Sequence, residues 1–162
     1  MRRIQLLCAI GVSLWPALAA ASQAPEVGAL SEALRNHVRS EAFDIVSSIR
    51  GLPLGVRDSL QTLFGSGTLD IAEPGAEFQS NVGVNSRLPT RRLAAAGCSA
   101  DHHCLVYYER GGASHTWHVA LFHWTPAATR LEWGGSPPGG LKTIEDVQKA
   151  VLSGATRSQK VW

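Results

Sequence analysis

The sequence CSADHHCLVYYERGGASHTWHVALFHWTPAATRLEW, residues 98–133, decides the fold that we predict for this chain. It contains two of the three cysteines, five of the six histidines, both tyrosines and three of the five tryptophans. Short alternating runs of aromatic and β-branched residues are separated here by turn residues, a pattern typical of antiparallel strands. The stretch therefore predicts a β-meander, and most side chains capable of chemistry lie within it.

Three antiparallel strands are predicted inside this stretch. Residues 104–110 form the first strand, and Gly111-Gly112 supplies the positive φ angles that a two-residue hairpin turn requires. Residues 115–124 return as the partner strand. Pro126 provides the fixed φ of a type I turn, and residues 129–133 follow as the third strand.

The two-residue turn predicts which side chains face one another, because register follows from turn length. Tyr108 then faces His115 and Val106 faces Trp117 on one side of the sheet, whereas His118 lies on the other side. Both faces of the second strand carry apolar residues. We therefore expect a central strand that is covered on both sides.

Helices are predicted before this sheet. Apolar residues recur at three- and four-residue steps, or multiples of them, over residues 25–50, which predicts one helical stripe ended by Gly51. Pro53 can open a second short helix that runs to Phe64. Residues 65–89 are rich in glycine, serine, asparagine and proline, and are predicted to be irregular and loop-rich.

The C-terminal helix has the clearest boundary signals. Thr143 can cap its first turn, Asp146 follows three residues on, and Gly154 stops the helix. Together these elements predict an α+β fold. It has N-terminal helices, an antiparallel β-meander of about four to six strands with one disulfide, and a C-terminal helix packed on the sheet.

The N-terminus has the three parts of a secretory signal peptide: a positive start, an apolar segment and small residues before a cleavage site. The apolar run, residues 4–18, is too short to span a membrane comfortably. We expect residues 1–21 to be removed by cleavage after Ala19 or Ala21, which leaves residues 22–162 as one small domain without stable membrane insertion. The protein is therefore predicted to be periplasmic or secreted.

Cleavage changes two counts that bear on function. Arg2 and Arg3 leave with the signal, so Lys+Arg falls from 15 to 13 against 13 Asp+Glu, and the formal net charge becomes zero. No basic run follows, so nucleic acid is not an expected partner. Cys8 leaves as well, and the remaining pair, Cys98 and Cys104, is expected to form a disulfide in an oxidising compartment.

Ligand contact is predicted on the aromatic sheet. His115 is the first candidate because it lies next to the glycine turn, with Tyr108 facing it and Trp117 two residues on. His118 joins this set, although its apolar neighbours also favour a buried, hydrogen-bonded imidazole. The predicted ligand-binding residues are therefore His115, Trp117, Tyr108 and His118.

A metal site is one alternative use of the cysteine hairpin. Cys98, His102, His103 and Cys104 offer two sulfurs and two imidazoles, the ligand set of tetrahedral zinc. Adjacent side chains of an extended chain point to opposite faces, so His103 and Cys104 seldom reach one ion. For that reason no metal ligands are assigned.

A second alternative comes from the phrase His118-Val119-Ala120-Leu121-Phe122, which resembles the histidine strand of NlpC/P60 and CHAP-type cell-wall peptidases. The resemblance implies a thiol-dependent hydrolase with Cys98 or Cys104 as nucleophile and His118 or His115 as base. Those families place the nucleophile at the start of a helix, well upstream of the histidine. Here Cys104 precedes His118 by only fourteen positions and lies in a predicted strand.

The residue pattern favours a non-catalytic protein. No two carboxylates fall on one predicted face, so no catalytic residue is assigned, and no cofactor is expected. The predicted function is an exported binding or accessory module for an unknown protein or small-molecule ligand, with Trp117, Trp124 or Trp133 in the contact surface. A thiol-dependent cell-wall hydrolase and a periplasmic metal-binding protein are the alternatives.

Overall fold

The computed structural model describes residues 29–81 and 87–156. The described part of the chain has helical elements on both sides of a run of strands. In chain order these are α1 (Glu32–Ser40), β1 (Phe43–Ile45), a 3₁₀ turn (Ile49–Gly51), α2 (Leu54–Phe64), β2 (Arg91–Ser99), β3 (His103–Arg110), β4 (Thr116–Trp124), β5 (Thr129–Gly135) and α3 (Ile144–Leu152). The predicted signal segment and its cleavage point lie outside the described residues.

The strands form one antiparallel sheet in the order β1-β2-β3-β4-β5. One face of the sheet, the α1/α3 face, packs against α1 and α3, and the other, the α2 face, packs against α2. Alternating residues of the central strands fill the two cores: Leu105, Tyr107, Val119 and Leu121 on the α1/α3 face, and Val106, Tyr108, Ala120 and Phe122 on the α2 face. The predicted α+β fold with a covered central strand is confirmed.

The C-terminal helix and the disulfide are also confirmed. The Thr143 hydroxyl accepts a hydrogen bond of 3.2 Å from the Asp146 N–H and so caps α3. Buried apolar side chains of α3 pack on the α1/α3 face. A disulfide joins Cys98 at the end of β2 to Cys104 at the start of β3.

The single helical stripe predicted over residues 25–50 is wrong. Ser31 caps α1, which ends at Ser40, and Phe43–Ile45 pairs as edge strand β1 with the end of β2. A strand at the edge of a sheet also needs apolar residues, so the apolar pattern continued past the true helix end. Long-range pairing with β2 overrides the local helical periodicity.

The end of α1 is held by polar contacts from α3. The Gln148 side-chain amide donates to the carbonyl oxygens of Val38 at 2.5 Å and Glu41 at 3.2 Å. At the C-terminal end of α3, the Leu152 carbonyl accepts a hydrogen bond of 2.6 Å from the Arg35 guanidinium of α1. Because the last carbonyls of a helix lack partners within the helix, these contacts anchor the two helices to each other.

The predicted register of the β3–β4 hairpin is wrong as well. Tyr108 pairs with His118, and Val106 pairs with Ala120, across a five-residue loop of residues 111–115. The shift relative to a two-residue turn is three residues, an odd number, so every cross-strand partner changes face. His118 therefore shares a face with Tyr108, and Trp117 lies on the α1/α3 face.

The physical cause of this register is the close approach of another segment to Gly111. The Gly111 N–H donates to the Thr90 carbonyl at 3.0 Å, and the Gly112 N–H donates to the Ser80 carbonyl at 3.4 Å. A β-carbon on Gly111 would overlap the backbone of Gln79. The glycine at 111 provides space for residues 79–80, and the chain turns over a longer loop.

Candidate functional site

A buried carboxylate lies where α1 meets the ends of β2 and β3. Glu41 follows the last residue of α1, and its side chain is 2% exposed. The Ser99 hydroxyl donates to one Glu41 oxygen at 2.5 Å, and His103 Nδ1 lies 2.8 and 3.0 Å from the two carboxylate oxygens. A buried charge needs compensating positive charge and hydrogen bonds, so this carboxylate provides a strong local preference for a cation.

A second imidazole faces the same carboxylate from the last turn of α1. His37 precedes Glu41 by four residues, one helical turn, and its Nδ1 lies 3.4 Å from Glu41 Oε1. The His37 side chain is 60% exposed, so it stands at the rim of the site. One ligand atom from each of His37, Glu41 and His103 lies within 4.8 Å of the others, which defines the His37–Glu41–His103 group.

The group borders an open cavity of about 810 Å³. The cavity runs along α1 from its first residues to His37 and crosses the ends of β3, β4 and β5. Its polar lining residues are His37, Asp101, His103, His123, Arg130 and Glu132. A space of this size with a few convergent polar groups is typical of a small-ligand site.

Glu132 stands on the opposite side of the His103 ring from Glu41. His103 Nε2 lies 3.7 Å from Glu132 Oε2, and the Arg130 guanidinium donates to Glu132 Oε1 at 2.8 and 2.5 Å. The His123 ring lies 5.3 Å from the His103 ring, centroid to centroid, because these residues pair across β3 and β4. Each nitrogen of the His103 ring therefore faces a carboxylate.

The disulfide-closed hairpin turn positions two members of this site. Ser99 and His103 both lie between Cys98 and Cys104 in sequence, and the His103 N–H donates to the Ser99 hydroxyl at 3.1 Å. His102 takes up a left-handed backbone conformation with φ 67°. Because neighbouring strand residues point to opposite faces, His103 turns toward α1 while Cys104 enters the α2-face core.

Two imidazoles and one carboxylate form a ligand set that suits zinc and related transition metals. Imidazole and carboxylate ligands are the usual partners of Zn²⁺ outside cysteine sites, whereas Ca²⁺ and Mg²⁺ prefer oxygen ligands throughout. The arrangement can therefore hold a cation between α1 and β3.

Comparisons of the chain with protein-family models, curated proteins and solved structures give no match. The geometry alone carries the argument about function. In the disulfide-bonded protein neither Cys98 nor Cys104 presents a thiolate, so neither is available there as a nucleophile or a metal ligand. His102 also turns away from His103, and its ring lies against Trp124 with centroids 5.3 Å apart.

His115 and Trp117 lie at the opposite end of β3 and β4 from the His37–Glu41–His103 group. His115 Nε2 lies 2.7 Å from Glu109 Oε2, and the His115 ring stacks on Trp117. Trp117 stacks in turn on Tyr107, so its ring is covered on two sides. These residues border a smaller cavity of about 340 Å³ with Pro137 and Pro138. Their role in ligand binding stays a prediction.

Tyr108 and His118 lie together on the α2 face. Both are buried, and their rings stack with centroids 5.1 Å apart. His118 Nε2 lies 2.8 Å from the Thr116 hydroxyl oxygen. The structure therefore separates the four predicted ligand-binding residues into two pairs on opposite faces of the sheet, and whether either pair contacts a ligand stays a prediction.

The pH dependence of stability tests the buried state of His118. Burial, with the charges of Arg110 and Arg91 adding to it, lowers the pKa of His118 to about 4. The histidine pKa in the unfolded chain is about 6.5. Between pH 7 and pH 5, His118 therefore gains a proton in the unfolded chain but stays neutral in the folded protein. We expect His118 to account for a loss of about 2 kcal/mol of unfolding free energy over this range.

Urea unfolding of wild-type protein and of a His118→Gln variant at pH 7 and pH 5 measures this contribution. The variant should lose about 2 kcal/mol less than wild type between the two pH values. Equal losses in the two proteins would show that His118 does not stay neutral in the folded state.

Sequence reasoning missed the His37–Glu41–His103 group because a helix end after residue 40 was needed to place Glu41 at the sheet, next to His103. One usable signal was present in the sequence: His37 and Glu41 are spaced four residues apart, which puts them on one face of a helix.

Proposed function

We propose that the protein is an exported binding module whose ligand is a divalent transition-metal ion of the zinc class. The observation that carries the proposal is the convergence of His37, Glu41 and His103 within 4.8 Å around a buried carboxylate. Three groups of this chemistry from two distant parts of the chain provide a preformed ligand set.

One spacing in the group, between His37 and Glu41, fits a tetrahedral ion. Zinc ligands lie about 2.0 to 2.2 Å from the ion, so two of them at a tetrahedral angle are about 3.4 Å apart. His37 Nδ1 and Glu41 Oε1 have this separation, 3.4 Å. His103 Nδ1 is closer to Glu41, at 2.8 Å, the distance of a direct hydrogen bond. The ion takes the place of the proton in that bond, with a small rotation of the His103 ring.

Ser99 supports the site from outside the ligand set. Its hydroxyl donates to Glu41 Oε2, whereas His37 Nδ1 lies 3.4 Å from Oε1, and so it orients the carboxylate. Hydrogen bonds from such outer residues raise the metal affinity of many sites.

Two features support the exported location. The disulfide is typical of oxidising compartments. The sequence of residues 1–21 has the pattern of a secretory signal. Among residues 29–81 and 87–156, no helix combines the length and the apolar character needed to cross a membrane.

A zinc titration of tag-free, chelator-treated mature protein tests the proposal. Isothermal calorimetry, with native mass spectrometry for stoichiometry, should show one ion bound. We expect His103→Gln and Glu41→Gln to weaken binding about a hundredfold, since each removes a buried ligand. His37→Gln should weaken it about tenfold, because His37 is exposed.

His102→Asn is the matched control, since it changes the neighbouring histidine and asparagine tolerates the left-handed backbone at this position. Its zinc affinity should equal that of wild type. Thermal unfolding of the metal-free variants establishes that each one is folded. Equal zinc affinity in wild type, His103→Gln and Glu41→Gln contradicts the proposal.

A further inference from the structure

We infer that the ion in this site keeps one coordination position open to the cavity and binds there a small anionic ligand of the carboxylate class. The inference rests on the proposed metal-binding function. The inference adds a second ligand, which the bound ion would recognise. It also adds Arg130 as a residue that helps to hold this second ligand.

The direction from which each protein ligand approaches leaves the cavity side uncovered. Glu41 is buried behind the site, and Ser99 and the end of α1 enclose it. His37 and His103 stand on the cavity wall. An ion held by these three groups therefore presents its remaining position to the cavity. Zinc sites with three protein ligands commonly bind water or an exchangeable ligand in the fourth position.

The cavity has room for more than a water molecule. Its volume of about 810 Å³ lies within the range of small-molecule sites, about 300 to 1,000 Å³. The wall across from His37 is polar and is formed by His123, Arg130 and Glu132. A ligand with several oxygen atoms can contact the ion and this wall at the same time.

The charges of the loaded site favour an anion. A divalent ion with one carboxylate and two neutral imidazoles has a net charge of about +1. Glu132 and Arg130 neutralise each other through their ion pair. Asp101 is exposed at the rim, where solvent screens its charge. The remaining positive charge attracts carboxylates and small inorganic anions.

Arg130 is the residue placed to hold the far end of such a ligand. Its side chain is 73% exposed, and it pairs with Glu132, which lies 3.7 Å from His103. Glu132 faces Nε2 of His103, on the opposite side of the ring from the ion, so the guanidinium can reach only the far end of a ligand that extends along the cavity past this ring. Planar pairing with carboxylates is the usual chemistry of arginine.

Cobalt-substituted protein tests the inference, because the visible absorption bands of Co²⁺ report its coordination. Tag-free mature protein loaded with Co²⁺ is titrated with sodium azide and with sodium succinate, a dicarboxylate. We expect a saturable change in the bands with both probes. Arg130→Ala should weaken succinate binding about tenfold and leave Co²⁺ affinity within about twofold. Arg50→Ala, which removes an exposed arginine outside the cavity, is the matched control and should behave as wild type.

Two further variants separate competing explanations. Arg130→Ala combined with Glu132→Gln prevents a released Glu132 carboxylate from occupying the open position, and the double variant should bind azide. His123→Gln tests whether His123 moves in as a fourth protein ligand. If the bands respond to anions only in His123→Gln, the wild-type site is closed and the inference is overturned.

The outcomes separate this inference from the proposed function. Co²⁺ binding without any response to azide or succinate overturns the open position and leaves the metal site intact. Failure of both Zn²⁺ and Co²⁺ to bind overturns the proposed function and this inference with it. Unchanged succinate affinity in Arg130→Ala overturns the role of Arg130 alone.

Discussion

Replacing Gly111 with alanine is expected to lower the unfolding free energy by about 3 kcal/mol. A β-carbon at this position would overlap the carbonyl group of Gln79 and the Cα of Ser80. Those are backbone atoms, so no side chain can rotate away to relieve the overlap. The Gly111 N–H also donates to the Thr90 carbonyl, and displacement of the segment breaks this hydrogen bond.

Urea unfolding of Gly111→Ala and wild type measures this cost, and Gly67→Ala provides the matched control. A β-carbon at position 67 has no heavy atom within 4 Å, and the Gly67 backbone lies outside the left-handed region. Gly67→Ala should therefore change stability little or raise it slightly. Similar stabilities for the two variants would mean that residues 79–80 do not pack on the β3–β4 loop.

Removal of the disulfide is expected to affect both stability and zinc binding. Cys98→Ser with Cys104→Ser should lower the unfolding free energy by about 2 to 3 kcal/mol, the chain-entropy value for so short a loop. Zinc affinity should fall about tenfold as well, because Ser99 and His103 then lose the cross-link that holds their turn in place.

Chemical unfolding and zinc calorimetry of the double variant measure the two effects. Wild-type protein reduced with a phosphine, which leaves the sequence unchanged, serves as the unfolding control for the loss of sulfur packing and should show the same loss of stability. Zinc is titrated only into the double variant, because the free thiols of the reduced protein bind zinc themselves. A double variant with unaltered zinc affinity would show that the β2–β3 pairing alone positions Ser99 and His103.

Local sequence signals were sufficient for some elements of the fold. The cap at Thr143 and the stop at Gly154 both lie within α3 or next to it, so their chemistry can be recognised without knowledge of the rest of the chain. The strands of the central hairpin were recognisable by their aromatic and β-branched residues. The cysteine pair followed from the expected compartment.

Interactions between distant segments could not be predicted from such local signals. The register of β3 and β4 depends on residues 79–80 packing against Gly111, about thirty positions away. The double glycine, Gly111-Gly112, indicated a tight turn. The reason that glycine is needed at position 111 is the packing of residues 79–80 against it, which the structure shows. An odd shift in register then placed Trp117 and His118 on the wrong faces.

The candidate site shows the same limit more strongly. Glu41 and His103 are separated by 62 residues, and their contact depends on α1 ending at Ser40 and on β1 joining the sheet. No spacing rule for metal ligands connects residues so far apart. The short His37 to Glu41 interval was visible, but such intervals are common on helix surfaces.

The attachment of α1 has a consequence for how an ion would leave the protein. Helix α1 supplies His37, and Glu41 follows its last residue, yet α1 buries only Leu34 and Val38 and is tied to the domain largely through Arg35 and Gln148. Secondary elements with few buried side chains open locally at a lower free energy than the central strands of a sheet. Ion release then requires only the transient detachment of one peripheral helix, while β3 and β4 stay folded. The lifetime of an ion in the proposed site would then depend on the hydrogen bonds between α1 and α3, which lie outside the ligand set, as well as on the ligands themselves.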